Sequence, residues 1–466
     1  MSITNSLSRT QAFSGFFSDR DFYQQLFKIA LPIALTQFIM SSLNMVGVLM
    51  IGQLGAVPVA AVGLANQIFF LLNLMLFGIY SGCAMFTAQL WGVKDVTNIR
   101  KVLGLALTLG VGAGSLFLLV AEAFPGIVIG IYSEDPAVVA LGSEYLRIIG
   151  FSFIPFAISF GYAAVLRSIG DVQKPLVVTL TSLSINMAIS YLLIFGKLGF
   201  PTLGVHGAAI AVLISRLIEL ALMLLLTYRK DSPAAGKIRE LFNYDLNYAK
   251  KVLKPVLPVV LNEMLWSFGI TAYSVVYARI GTDSIAAMNI VSSIEQLGFV
   301  VFNGIGHACA VLVGNRIGAG EDKQAFQYGA RSEALGILGG IAIGSLIVLS
   351  SRLVLSLYKV PPDVIYNAQR VLVIMGLLLW LKSSNMILFI GILRSGGDTR
   401  FALVLDGLII WVVGVPLAFL GAFVFHLPVY WVYLLVMTEE LTKWLLGISR
   451  FFSRKWIHNL AVSVSG

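Results

Sequence analysis

The chain has 466 residues, of which 58% are hydrophobic and only 12% charged, and its mean hydropathy is +0.89. Soluble domains carry about 25% charged residues, and this much apolar surface cannot be hidden in a water-facing fold, so lipid must be the solvent. The net charge of +9 is scattered along the chain, which argues against a nucleic-acid surface.

Apolar stretches recur at the ~20-residue length of a helix crossing a bilayer, without the alternation of a membrane barrel strand. The predicted spans are 28–51, 59–83, 100–122, 142–164, 174–196, 205–228, 252–278, 286–312, 329–350, 367–393, 400–425 and 429–450. Residues 1–27 lack the short apolar run of a cleavable signal, so the first span is expected to stay in the mature protein. The polar connector 229–251 is expected to separate an N-terminal lobe, 1–228, from a C-terminal lobe, 252–466, and has room for an amphipathic surface helix. Cys83 and Cys309 both fall in apolar stretches, so no disulfide framework is expected.

Lys and Arg set the orientation. With both termini on one side, the connectors of that side hold 23 of them and the opposite connectors five. The positive-inside rule then places both termini in the cytoplasm, in the inner (plasma) membrane.

The sequence also repeats. At an offset of 226, residues 28–92 overlay 254–318 without a gap: Pro32 meets Pro258, Gly55 meets Gly281, Gly78 meets Gly304 and Cys83 meets Cys309. At 227, Leu166-Arg167-Ser168 meets Leu393-Arg394-Ser395 and Gly170-Asp171 meets Gly397-Asp398. Each half holds an even number of spans, so the halves enter the membrane in the same orientation. The fold class is therefore all-α integral membrane: twelve transmembrane helices in two parallel-repeat six-helix lobes, with a pseudo-twofold along the membrane normal and alternating access by rocking of the lobes.

The LRSGGDTR segment at 393–400, its degenerate copy LRSIGD at 166–171, ALPIALTQ near the first span, Gly-Gln-Leu-Gly at 52–55 and VGNRIGAG at 313–320 together resemble the multidrug and toxic compound extrusion (MATE) transporters. The resemblance covers essentially the whole chain and implies cation-coupled export. A lipid or lipid-linked oligosaccharide flippase of the same superfamily is the alternative, although such flippases usually line their cavity with more basic residues. In LRSGGDTR, Gly396-Gly397 suits a tight turn with positive φ and Asp398 suits a helix cap; a structural turn is the better reading.

Ionisable groups inside a membrane are costly and usually functional. The second half holds most of them: Glu263, Glu295, Lys382, Asp406, Glu439, Glu440 and Lys443. The internal counterparts of Glu263 and Glu295 are Gln37 and Phe69, so the coupling site is expected in the C-terminal lobe. Family members often carry an aspartate in the first span, where this chain has Gly47, and another in the fifth, where it has Ser190. The tenth-span acid of sodium-coupled members would fall near Ser383, beside Lys382. Only Glu263 keeps that pattern, so protons are expected as the coupling ion more than Na⁺. Glu263, Glu295, Lys382 and Asp406 are the candidate coupling network, with Lys382–Asp406 equally readable as a structural salt bridge. Arg216–Glu219 and Glu440–Lys443 are i,i+3 pairs expected to neutralise each other near the cytoplasmic ends.

Gln37, Asn44, Asn186, Trp266, Tyr273, Phe299 and Asn385 are the candidate substrate-cavity residues, since aromatic faces attract amphipathic cations. The expected partners are such small molecules and membrane lipids, with no cofactor beyond H⁺ or Na⁺, no metal site, no nucleic acid, and a monomeric state. An enzyme is disfavoured: the four histidines are scattered, and neither HExxH nor a P-loop occurs. A passive channel is disfavoured too, because two lobes with the charge in one do not make a ring around a pore.

Overall fold

The computed structural model describes residues 19–229 and 232–465; the readings of the first 18 residues and of Lys230 lie outside them. Among the described residues the chain is helical, with no strand. Its long helices are α1 (Arg20–Gly52), α2 (Ala56–Gly92), α3 (Val96–Ala123), α4 (Pro136–Gly150), α5 (Phe153–Ser168), α6 (Gln173–Phe195), α7 (Gly204–Tyr228), α8 (Leu246–Ile280), α9 (Thr282–Gly318), α10 (Asp322–Leu355), α11 (Pro362–Arg394), α12 (Thr399–Val424) and α13 (Val429–Phe452).

Ten of these are long and apolar enough to cross a bilayer alone, and α4 with α5 makes an eleventh crossing bent by 50°. The expected fourth span is thus a broken helix. The twelfth is α13, whose 24 residues reach across at 1.5 Å per residue. Its Glu439, Glu440 and Lys443 make it too polar to stand out by hydropathy. The connector holds one helical turn, Ile238–Leu241, and α8 already begins at Leu246, so no long surface helix forms there. Cys83 and Cys309 are buried free thiols.

The chain forms two compact units. One joins the described residues up to Ala34 with Met264–Val462; the other is Leu35–Glu263 with residues from Ser463 on. These units differ from a division at 228 and 252 in that the opening halves of α1 and α8 each join the other repeat. Small residues explain the exchange, since they let helix backbones approach. A Cβ on Gly304 of α9 would stand 2.5 Å from the Ala30 carbonyl oxygen, and one on Gly78 of α2 would stand 2.9 Å from the Val260 Cα. Gly78 and Gly304 are repeat partners, as are Ala34 and Val260.

The helix starts are fixed the same way twice. The Phe22 N–H donates to Asp19 Oδ1 at 3.1 Å, and Arg331 of α10 donates to the other Asp19 oxygen. In the second copy the Tyr248 N–H donates to Asp245 Oδ1 at 2.8 Å, and the Tyr248 hydroxyl donates to the Asn98 carbonyl of α3 at 3.3 Å.

The two glycine loops also fold alike. Asp171 N–H reaches the Leu166 carbonyl at 2.9 Å and Asp398 N–H reaches that of Leu393 at 3.0 Å, with Gly170 and Gly397 at φ 86° and 82°. Only the second glycine of Gly396-Gly397 takes the left-handed conformation. Gly396 is needed for a different reason: a Cβ there would come 2.4 Å from the Trp456 ring. Asp398 gives no side-chain cap; it accepts instead from Arg450 Nε at 2.7 Å.

Two predictions follow from these contacts. Gly304→Val should lower stability by about 1–3 kcal/mol through overpacking, whereas Gly63→Ala, whose Cβ meets nothing within 4 Å, should be nearly neutral; thermal melts of the detergent-solubilised protein compare them. The Phe22 N–H, and after it Arg331, hold the Asp19 carboxyl below the usual carboxylate range. Its contribution is therefore present above the unfolded-state value of about 4 and is lost as pH falls through the lower folded value. Asp19→Asn should lower Tm at neutral pH and flatten the acid limb of the Tm–pH curve.

Candidate functional site: a buried charge cluster

One unit collects the intramembrane charges of α9, α11, α12 and α13, with the distal part of α8. Lys382 of α11 forms an ion pair with Glu295 of α9. Lys443 of α13, 1% exposed, pairs with Glu439 one turn before it and with Asp406 of α12 at 3.0 Å. The Tyr273 hydroxyl of α8 donates to the second Glu439 oxygen. The Asn385 amide of α11 donates to Glu440, at 2.8 Å to its carbonyl and 2.7 Å to its carboxylate. Each contact joins different helices or successive turns, so the cluster fixes the packing as well as the charge.

The backbone makes room for it. A Cβ on Gly414 would fall 1.7 Å from the Tyr273 hydroxyl and 2.5 Å from Glu439 Oε2, so the Tyr273–Glu439 bond needs glycine on α12. That helix contains π-helical stretches at Leu403–Leu408, Ile410–Gly414 and Leu420–Val424, and Asp406 lies in the first. Wider turns of this kind re-aim side chains and are frequent at functional sites.

The expected pairings are redrawn. Glu440–Lys443 does not form, because Lys443 is taken by Glu439 and Asp406. Lys382–Asp406 does not form either, because Lys382 meets Glu295. Glu263 is buried but is the last α8 residue of the other unit, so Glu295, Lys382 and Asp406 share a unit without it. Arg216–Glu219 forms as expected, at 2.6 Å. Tyr273 and Asn385, read as cavity walls, are buried within the cluster. Gln37, Asn44 and Trp266 are exposed, Phe299 is half-buried, and the half-buried Asn186 donates to Ser215 Oγ at 3.2 Å.

The repeat shows what this charge replaces. Lys443 corresponds to Arg216 and Glu295 to Phe69. In the other unit the Arg216 guanidinium lies 4.6 Å from the Phe156 ring centre and 5.6 Å from that of Phe69. The repeat position of Glu295 is thus a ring under a cation in one copy and a carboxylate on a lysine in the other.

Glu333 of α10 was not legible as a site. It is 4% exposed; one oxygen accepts from Ser384 Oγ, which itself accepts from Trp444 Nε1 at 2.9 Å. The other oxygen has no hydrogen-bond partner among the described residues. Glu333 falls inside the expected ninth span, 329–350, yet is missing from the intramembrane charges singled out in the sequence.

Lys443→Met should cost about 3–5 kcal/mol, because it strands two carboxylates in the interior. Adding Asp406→Asn and Glu439→Gln should recover most of the loss. Denaturation in detergent of the single and triple variants tests this, and equal losses in both would mean that the lysine acts by packing alone.

The comparisons with known proteins agree with this architecture. The MatE family model matches residues 32–192 and 258–420, one match in each repeat. A probable multidrug resistance protein NorM of Thermotoga maritima is 24% identical over 434 residues, covering 93% of each chain. A probable multidrug resistance protein YoeA of Bacillus subtilis is 29% identical over 394 residues, covering 83% of this chain and 84% of that one. Among solved structures, the Vibrio cholerae MATE transporter VcmN in its bent form superposes with a TM-score of 0.84 at 19% identity, over 94% of this chain and 99% of that one. A MATE protein in the bent conformation also gives 0.84 at 19% identity, over 93% and 96%. With both repeats matched by the family model, the chain belongs to the MatE family of multidrug efflux transporters.

Proposed function

We propose that this chain exports amphipathic organic compounds by antiport, that protons rather than Na⁺ drive it, and that it sits in the inner membrane with both termini in the cytoplasm. It works as a transporter without enzymatic chemistry, by alternating access. One observation carries the coupling argument. Among the described residues of α9–α13 in one unit, Glu295, Asp406 and Glu439 share the lysines Lys382 and Lys443, while the buried Glu333 is met by a serine hydroxyl and Glu440 by an amide. A surplus of carboxylates in hydrocarbon is costly, and added positive charge relieves it.

Lys382 favours the proton as that charge. Its ammonium already occupies Glu295, which leaves a metal cation to compete with a fixed one. Protons need no coordination shell and can be exchanged carboxyl by carboxyl as the conformation changes. Glu263, buried on α8 where that helix passes from one unit to the other, is the coupling carboxyl of the opposite unit. Substrate enters as a flat, hydrophobic cation or zwitterion, attracted to exposed aromatic faces such as Trp266.

Proteoliposomes loaded with a fluorescent lipophilic cation test this with pH and Na⁺ gradients imposed separately. Efflux should follow the proton gradient, and Glu263→Gln should abolish that coupling. Efflux driven by Na⁺ alone would assign the carboxyl surplus to a metal cation and remove Lys382 from the mechanism.

A further inference from the structure

The unit Leu35–Glu263 holds a cavity of about 1260 Å³ between α3, α5, α7 and the turn Ile238–Leu241. It is larger than most small-molecule sites, which run roughly 300–1,000 Å³. Its wall is almost wholly apolar, built from residues such as Leu107, Val111, Ile158, Leu224 and Phe242. The polar groups on that wall are already committed. The Tyr228 hydroxyl donates to the Gly236 carbonyl at 2.7 Å, so Tyr162 donates to Tyr228 at 3.1 Å. Thr108 donates to its own helix at Gly104 and accepts from Tyr244 at 2.8 Å. The roof is tied down by Arg100, which donates to Glu240 at 3.0 Å and to the Pro233 carbonyl at 3.3 Å.

The mouth is different. Leu225, Ile238 and Phe242 are 57%, 76% and 49% exposed, so nothing among the described residues covers it. Arg229, directly after α7 where the chain leaves its apolar span for the basic connector, joins the lining; its backbone N–H donates to the Leu225 carbonyl at 3.0 Å, and its guanidinium has no ion-pair or hydrogen-bond partner among the described residues. An apolar slot that ends on a free guanidinium at the membrane boundary has the shape and charge order of a phospholipid: tail inside, phosphate at the rim. A cationic substrate would meet repulsion there.

We propose that this groove binds an anionic phospholipid of the surrounding bilayer, with an acyl chain between α3, α5 and α7 and its phosphate on Arg229. Basic pockets at the membrane boundary recognise anionic head groups in this way. The site is distinct from the charge cluster of the other unit and does not depend on the coupling ion.

Gly112 supplies the test. It lines the groove, and a Cβ there meets nothing within 4 Å, so Gly112→Trp grows into the empty slot. The full-length protein would be taken from nanodiscs containing equal amounts of phosphatidylglycerol and phosphatidylcholine and analysed by native mass spectrometry. Wild type should retain phosphatidylglycerol selectively, and Gly112→Trp should lose the bound lipid while melting as wild type does. Arg229→Gln, at the rim and indifferent to packing, should reduce the preference for phosphatidylglycerol about fivefold, the factor one basic residue gives near a membrane surface. If Gly112→Trp fails to fold, Arg229→Gln decides alone. Equal retention by wild type and the filled variant, an unchanged preference in Arg229→Gln, or displacement of the lipid by a lipophilic cation at low concentration would each overturn the proposal.

Discussion

Charge in hydrocarbon is expensive, and the placement of Lys443 shows how this chain bears the cost. The ammonium is almost fully buried and meets carboxylates from two helices, Asp406 of α12 and Glu439 of α13. Glu439 is in turn held by Tyr273 of α8. Removing Lys443 takes a cation from both carboxylates at once, and breaking a buried pair on one side costs more than the pair itself returns. The positions of α8, α12 and α13 therefore depend on one another through this lysine. Gly414 belongs to the same constraint, since its missing side chain lets the phenol and carboxylate meet on the α12 backbone.

The second constraint is close approach. Gly78 against Val260 and Gly304 against Ala30 bring helix backbones nearer than any larger residue allows, and they do so at matching places in the two repeats. Without a hydrophobic drive between helices in lipid, packing of this kind is a principal source of association. It also explains why the opening half of α1 belongs with the C-terminal repeat and the opening half of α8 with the N-terminal one. The same residues that define the repeat in sequence define the exchange in space.

Much of the fold was legible because its signals are strong and local. Span length, basic connectors and the 226-residue offset require only hydropathy and identity, and they led to twelve helices in two parallel repeats. The bend between α4 and α5 was not legible, since Ile149-Gly150-Phe151-Ser152 is apolar enough to pass as continuous helix. The compact units differ from the division at the connector because the polar connector is conspicuous in sequence, whereas close backbone contacts on Gly78 and Gly304 leave no mark in composition. At the candidate site Arg216–Glu219 forms as the sequence suggests, whereas Lys382 and Lys443 take other partners than the expected Asp406 and Glu440. The π-helical stretches of α12 set where Asp406 points, and no i,i+3 or i,i+4 rule written for an α-helix anticipates that register. Glu333 was passed over for a simpler reason: it stands near the start of the expected span 329–350, two residues from Arg331, and no pattern in the sequence pairs it with Ser384.

The asymmetry between the repeats is the feature from which a mechanism has to start. Both copies keep a cation at one place, Arg216 in one and Lys443 in the other, and both satisfy it. Arg216 is met by one acid on its own helix and by rings of α2 and α5; its ion pair can persist unchanged while the helix moves as a rigid body. Lys443 is met by acids on two helices, one of them on a π-helical stretch, so relative motion of α12 and α13 must alter its partners. Adding a positive charge to Asp406 or Glu439 weakens the hold of Lys443 on that carboxyl, and the two helices are then less strongly tied. Charge and helix packing are thereby linked through ion pairs between helices in one unit, and through ring contacts in the other. A transporter that couples an ion to a conformational change needs such a linkage at least once, and the proposed proton coupling rests on the repeat that kept its carboxylates.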